Sequence, residues 1–217
     1  LSLNLGIEKI SETAKVFGLG ERYLEEFFPA SKGIIPNKQW KKNNFQSDWT
    51  KSDTIVASIG QGFALASPIQ LAVMIARICT NGELISPTII KNKEYKKQFQ
   101  KTSVLDERVY SYVKKGMHDT VNNINGTAYQ SREIKSNYYM AGKTATSQVR
   151  RITMREREEG IIKNEDLPRK MRDHALFVGY FPHIKPRFAF SIVVEHGGSG
   201  SKTAAPIARD ICKKLVK

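Results

Sequence analysis

The sequence predicts an α+β fold in which an antiparallel sheet packs with helices. Three observations carry this. Apolar residues recur at three- and four-residue spacing through the first half, the second half holds three short β-rich runs, and the chain closes on one more amphipathic segment.

Leu3, Ile7, Ile10, Ala14 and Phe17 lie on one helical face until Gly18 and Gly20 stop the pattern, which predicts a helix over 3–18. Glu21 to Ser58, with Pro29, Pro36 and two tryptophans, reads as a long irregular stretch, and so long a loop is more often functional than idle. Ser67-Pro68-Ile69-Gln70 then combines a Ser cap, Pro at the first helical position and Gln three residues after the cap. The helix it starts carries Leu71, Met74, Ile75 and Ile78 as its apolar stripe and ends at Asn81-Gly82. Val109, Val113, Met117 and Val121 predict a third helix that closes near Asn125-Gly126. Tyr138–Val149, Ala175–Phe181 and Phe188–Val194 are the expected strands, and Thr203–Leu215 the last helix, with Ala205, Ile207, Ala208, Ile211 and Leu215 inward. Arg150 to Arg172, dense in both charge signs, reads as a mobile insertion between two strands.

With 217 residues, 40% hydrophobic and 26% charged, the chain suits one globular unit. Its most apolar stretch, Phe63–Cys79, contains Pro68, Gln70 and Arg77 and falls short of the roughly 20 apolar residues of a membrane span. It opens on Leu1 inside an apolar-periodic segment, without an initiator Met, so a segment of a longer protein is expected. Cys79 and Cys212 lie far apart, outside any metal-ligand spacing, and are expected in the core, so neither a zinc site nor a disulfide framework is indicated and no metal is expected. A net charge of +14 suits an anionic partner. The lysines, however, fall in Asn-rich runs such as Lys91–Lys101 that read as a solvated basic face. Phe177, Tyr180, Phe188 and Phe190 alternate imperfectly and are expected to pack on helices, so no nucleic acid partner is expected. His196-Gly197-Gly198-Ser199-Gly200-Ser201-Lys202-Thr203 is a near miss to a phosphate-cradling loop, which needs Gly where Ser201 and His196 stand. His118 reads as helix surface, His183 as a turn residue and His174 as structural.

Ala141-Gly142-Lys143-Thr144-Ala145-Thr146 resembles the Lys-Thr-Gly-Thr strand of the serine acyl-transferases of the penicillin-binding and β-lactamase group. Other stretches strengthen the likeness in the right order: Pro36…Trp40-Lys41, Trp49 with Asp53-Thr54, Ser58-Ile59-Gly60-Gln61-Gly62 leading into Ser67-Pro68-Ile69-Gln70, Gly126-Thr127-Ala128, and His174 to Pro182. Together they resemble class B penicillin-binding proteins, particularly the elongation-type group penicillin-binding protein 2, over nearly the whole chain.

The resemblance implies the C-terminal portion of the penicillin-binding transpeptidase fold over 1–217. It implies a peptidoglycan D,D-transpeptidase that cross-links stem peptides through a serine acyl-enzyme and binds β-lactams. Lys143 is implied as the catalytic cation of the cleft, and the Thr144 and Thr146 hydroxyls as holding the substrate carboxylate. The Thr146 N–H would be one oxyanion donor. An edge strand suits an extended peptide, because its backbone can pair with the substrate. Ala145 stands where the family has Gly, adding one methyl group that a tight site would resist. The chain is expected to lack the Ser-x-x-Lys nucleophile segment and the Ser-x-Asn proton relay, both implied upstream of Leu1, as is the cysteine-containing metal site that some relatives carry. Ser199-Gly200-Ser201-Lys202 fits Ser-x-x-Lys in letters, but its glycine-rich setting argues against a rigid nucleophile. Two upstream strands are implied to pair alongside Phe188–Val194. Implied partners are stem peptides, β-lactams, the upstream half of the domain and the membrane cell-elongation machinery, with an upstream anchor holding the domain on the periplasmic face of the inner membrane. A non-catalytic remnant or interaction piece is the alternative reading.

Overall fold

Gly6 sits at φ +78°, ψ 159°, a conformation no helix continues through. The helix expected over 3–18 is therefore two: α1 (Ser2–Leu5) and α2 (Ile7–Val16). The computed structural model describes residues 1–90, 105–133, 138–150 and 152–215. The run Lys91–Lys101, expected to be a solvated face, lies outside the described residues. The chain groups into two compact units, 1–106 and 107–217.

In the first unit, the stretch read as irregular contains α3 (Lys38–Phe45) and α4 (Lys51–Ser58). Both starts are capped. The Asn37 side chain accepts from the Trp40 N–H at 2.8 Å, and Thr50 with Asp53 forms a reciprocal capping box. Lys41 Nζ donates to Asp53 Oδ2 at 2.6 Å and the Trp49 indole to Thr54 Oγ1 at 2.8 Å, so the two helices and their connector are cross-tied.

Helix α5 (Pro68–Cys79) starts at the expected box of Ser67 and Gln70. Its inward face differs from the expected stripe: Val73 and Ile75 are buried together with Gln70 and Arg77, while Leu71, Met74 and Ile78 are half-buried. Buried polar groups must find partners; Gln70 and the Arg77 terminal nitrogens do, whereas Arg77 Nε is buried without a hydrogen bond among the described residues. Gln70 Nε2 donates to the Glu21 carbonyl at 2.5 Å and the Lys32 carbonyl at 3.0 Å, and an Arg77 terminal nitrogen donates to the Val16 carbonyl at 2.8 Å. The helix thus pins the loop around it through its polar residues.

In the second unit, α6 (Glu107–Asn122) buries Tyr110, Met117 and Val121. Val109 and Val113, on the same spacing as Met117 and Val121, are 40% and 42% exposed, because the buried seam runs through Tyr110 instead. Three antiparallel strands follow, β1 (Ala141–Ser147), β2 (His174–Phe181) and β3 (Phe188–Val194), in the order β1-β2-β3. Among the described residues both β1 and β3 are therefore edge strands. The residues between β1 and β2 include a short helix α7 (Met154–Glu159) with a Thr153–Glu156 capping box, and Leu167 is buried.

After β3 a π-turn (Gly200–Ala204) runs into α8 (Ala205–Leu215). Ala205, Ala208 and Cys212 face a core with Val121, Phe177 and Phe181, and Phe188, Phe190, Ile192 and Val194 pack against it. Ile207, Ile211 and Leu215, expected inward, stay 39–46% exposed; small residues line the inward face and let the helix approach the sheet closely. Cys212 is a core residue as expected, and burial pushes its thiol up to about 12; Cys79 is only partly buried. His118 is half-buried, with its ring 4.6 Å from that of His183, whose Nδ1 pairs with the Tyr180 hydroxyl at 2.9 Å. His174 accepts the His196 N–H at 2.9 Å, a structural contact.

Candidate active site

The strand that carries the motif is positioned by close approach. Any Cβ at Gly142 would collide with the Phe177 ring and the Val178 carbonyl, so glycine lets β1 lie flat against β2. Antiparallel pairing then sets Lys143 opposite Val178, Thr144 opposite Phe177 and Thr146 opposite Ala175. Because side chains alternate along a strand, Lys143 and Ala145 share one face and Thr144 and Thr146 the other.

The loop after α6 delivers one further hydroxyl. The Gly126 N–H donates to the Asn123 carbonyl at 2.8 Å, and a Cβ there would meet the Thr120 and Asp119 carbonyls. The Ala128 N–H donates to the Thr120 carbonyl at 2.9 Å. That tight turn sets Thr127 Oγ1 2.9 Å from Thr144 Oγ1. Asn122 ties the same helix end to the start of the strand, its Nδ2 donating to the Met140 carbonyl at 2.9 Å.

Lys143 is exposed, and its Nζ donates to the Thr144 carbonyl at 2.7 Å. The structure therefore brings Thr144 together with Thr127 but does not bring the Lys143 ammonium to either threonine hydroxyl. Ala145 is exposed, and the tight packing feared for its methyl is carried instead by Gly200, whose added Cβ would strike the Ala145 and Leu176 carbonyls. Thr146 lines a cavity of about 380 Å³ together with Lys163, Arg172, Gly197, Gly198, Ser199 and Lys202.

Ser199 caps the π-turn rather than acting as a paired nucleophile. Its Oγ accepts the Lys202 N–H at 3.3 Å and lies 3.0 Å from Ser201 Oγ, while Lys202 Nζ points to Glu165 at 4.0 Å. Two further stretches match the motifs in letters. Ser2-Leu3-Asn4 spells Ser-x-Asn within the four-residue helix α1, correcting the expectation that the chain lacks that spacing. Ser111-Tyr112-Val113-Lys114 spells Ser-x-x-Lys in mid-α6, where Ser111 is exposed and no helix start supports it. Thr127 lies in the family-like stretch Gly126-Thr127-Ala128, yet nothing in the 17-residue separation signals its contact with Thr144. Among the described residues no cluster of three metal-ligating side chains occurs, and no helix is long and apolar enough to cross a membrane.

Curated relatives include the peptidoglycan D,D-transpeptidase MrdA of Haemophilus influenzae, 31% identical over 97% of this chain and 33% of the relative. The MrdA of Salmonella typhimurium is 30% identical over 97% of this chain and 34% of the relative. The chain spans about a third of the length of these curated relatives. Among solved structures, the complex between penicillin-binding protein 2 and MreC from Helicobacter pylori superimposes at TM-score 0.80 and 30% identity, over 99% of this chain and 37% of that one. Penicillin-binding protein 2 of Pseudomonas aeruginosa in complex with WCK 5153 gives TM-score 0.80 and 30% identity, over 99% of this chain and 43% of that one. These neighbours carry the same α+β arrangement of an antiparallel sheet packed with helices. With the penicillin binding protein transpeptidase domain model matching residues 1–213, and relatives of the penicillin-binding protein 2 type at both levels, the chain belongs to the penicillin-binding protein transpeptidase family.

Proposed function

We propose that this chain supplies the substrate-binding strand of a peptidoglycan D,D-transpeptidase that works through a serine acyl-enzyme and binds β-lactams. The observation that carries the reading is β1 itself: an edge strand among the described residues, bearing Lys143-Thr144-Ala145-Thr146, with Thr144 Oγ1 held by Thr127. An extended peptide adds to such an edge through backbone hydrogen bonds. The Thr144 and Thr146 hydroxyls then receive the substrate carboxylate. The Lys143 ammonium raises the positive potential of the cleft once its 2.7 Å hydrogen bond to the Thr144 carbonyl is exchanged for one to a hydroxyl of the proton relay. Positioned charge of this kind acts on the transition state without reorganising during the reaction.

Residues 1–217 are, in this reading, part of one transpeptidase domain whose nucleophile and proton relay lie in a preceding segment. An anchor there places the domain on the periplasmic face of the inner membrane. The relative solved with MreC supports a partner in the cell-elongation machinery. The acyl transfer calls for no cofactor.

Fluorescent penicillin separates this reading from a non-catalytic piece. Residues 1–217 expressed alone are expected to take no covalent label, and the protein carrying the preceding segment is expected to be labelled at a serine outside 1–217. Label mapping to Ser111 or Ser199 in the isolated chain overturns the assignment, and no label on the longer protein favours the non-catalytic reading.

A further inference from the structure

At the end of the sheet where β1 begins and β2 ends, α6 and the turn after β2 bring two imidazoles together. His118 sits on α6 and His183 two residues past β2. Their ring centroids lie 4.6 Å apart with the planes tilted by 43°. The turn is fixed by its own backbone, since the His183 N–H donates to the Tyr139 carbonyl at 2.7 Å. The Tyr139 ring stands edge-on to His118 at 5.8 Å. The transpeptidase reading gives neither histidine a task.

Each ring is held through one nitrogen. His118 Nδ1 lies 3.3 Å from Asp119 Oδ1 and His183 Nδ1 lies 2.9 Å from the Tyr180 hydroxyl, and among the described residues neither Nε2 makes a hydrogen bond. An oxygen that takes the Nδ1 proton fixes the ring and leaves the Nε2 lone pair as the ligand, the arrangement found around metal-bound histidines. The separation fits as well. Two imidazoles bound through Nε2 to one ion at about 2.1 Å place their centroids about 4.6–5.3 Å apart, and the observed 4.6 Å lies at the short end of that span. Burial, followed by the charges of His118 and Lys114, holds His183 below its usual 6.5 against the opposing Asp119, so the neutral ring that a metal requires prevails near pH 7. Lys115 is taken up by Asp119 at 2.6 Å, whereas the charge of Lys114 acts against a cation here and keeps the affinity modest.

We propose that His118 and His183 form a two-imidazole site for a divalent transition-metal ion such as zinc, copper(II) or nickel, with water in the remaining coordination positions. Imidazole nitrogen suits these ions, whereas magnesium and calcium call for oxygen ligands. Asp119 is a positioning residue that acts through His118. With two protein ligands the ion binds reversibly. It clips α6 to the turn after β2 and stabilises the fold by mass action. The site is independent of the acyl-transfer reading.

The test uses the intact protein that contains this chain, stripped of metal by a chelator and titrated with zinc chloride. Diethyl pyrocarbonate modification of each histidine is followed by peptide mass spectrometry. At zinc about ten times its Kd, modification of His118 and His183 is expected to slow together by about 10-fold, while His174 and His196 keep their rates. In His118→Ala, checked for an unchanged thermal midpoint, zinc is expected to protect His183 no longer. Asp119→Asn keeps both imidazoles and is expected to raise the zinc concentration needed for protection about 10-fold, the usual effect of losing an orienting partner. No zinc protection in the wild type, equal protection of all four histidines, or protection of His183 that survives in His118→Ala overturns the proposal. Should His118→Ala fail to fold, the wild-type protection pattern and Asp119→Asn decide.

Discussion

Thr127 Oγ1 and Thr144 Oγ1 share a hydrogen bond of 2.9 Å that joins the turn after α6 to the strand carrying Lys143. One hydroxyl donates and the other accepts, so the rotor of Thr144 is fixed before any substrate arrives. Replacing Thr127 by Val removes the partner at nearly constant volume and is expected to slow penicillin acylation of the intact protein about 5-fold, the scale of one neutral hydrogen bond of about 1 kcal/mol. Thr127→Ser is expected to restore the rate. If Val and Ser variants acylate equally, the hydroxyl pair plays no part in orienting Thr144.

Lys143 is exposed, and its ammonium bonds the carbonyl of the neighbouring Thr144. Lys143→Ala is therefore expected to leave the thermal midpoint almost unchanged while lowering the acylation rate about 10²-fold, the loss typical of one preorganised electrostatic group. Ala145→Gly is expected to be neutral or slightly faster, since the exposed methyl is not wedged against the sheet. An unchanged rate for Lys143→Ala removes this lysine from the site.

Gly142 and Gly200 are where the motif strand is most tightly confined. A Cβ at Gly142 overlaps the fully buried Phe177 ring, and one at Gly200 overlaps the carbonyls of Leu176 and Ala145. Gly142→Ala and Gly200→Ala are each expected to destabilise the protein by about 1–3 kcal/mol through overpacking. Gly160→Ala, where no neighbouring heavy atom lies within 4 Å, carries only the cost of its positive φ and serves as the comparison. Urea unfolding midpoints decide the order.

His183 supplies a pH dependence. Burial, followed by the positive charge of neighbouring His118 and Lys114, lowers its pKa below the usual 6.5, with Asp119 opposing. A depressed folded-state pKa means that the stability contribution is fully present above about pH 6.5 and is lost as pH falls through the lower folded value. The thermal midpoint is thus expected to drop on acidification below pH 6.5, and His183→Gln, which keeps a polar partner for Tyr180, is expected to flatten that drop. A wild type and variant with parallel profiles between pH 7 and pH 5 count against His183 as the source.

The sequence by itself determined the fold class, the three strands to within a few residues, the box at Ser67 and the motif strand, because each rests on local chemistry: alternation, capping residues, glycines where a chain must turn. Even α3 and α4 were legible locally, in Asn37 and in Thr50 with Asp53, though the surrounding prolines and polar residues masked them. Only the tertiary structure decided which face of α5, α6 and α8 turns inward. Burial is a property of neighbours, so Gln70 and Arg77 go in when backbone carbonyls wait for them, and Ile207 and Ile211 stay out when Ala205 and Ala208 allow closer packing. The same holds at the site. The motif that proposes Lys143, Thr144 and Thr146 spans four residues and is local, but the Thr127 contact and the basic cavity join residues 17 to 57 positions away, and no local pattern encodes a distance that only folding closes.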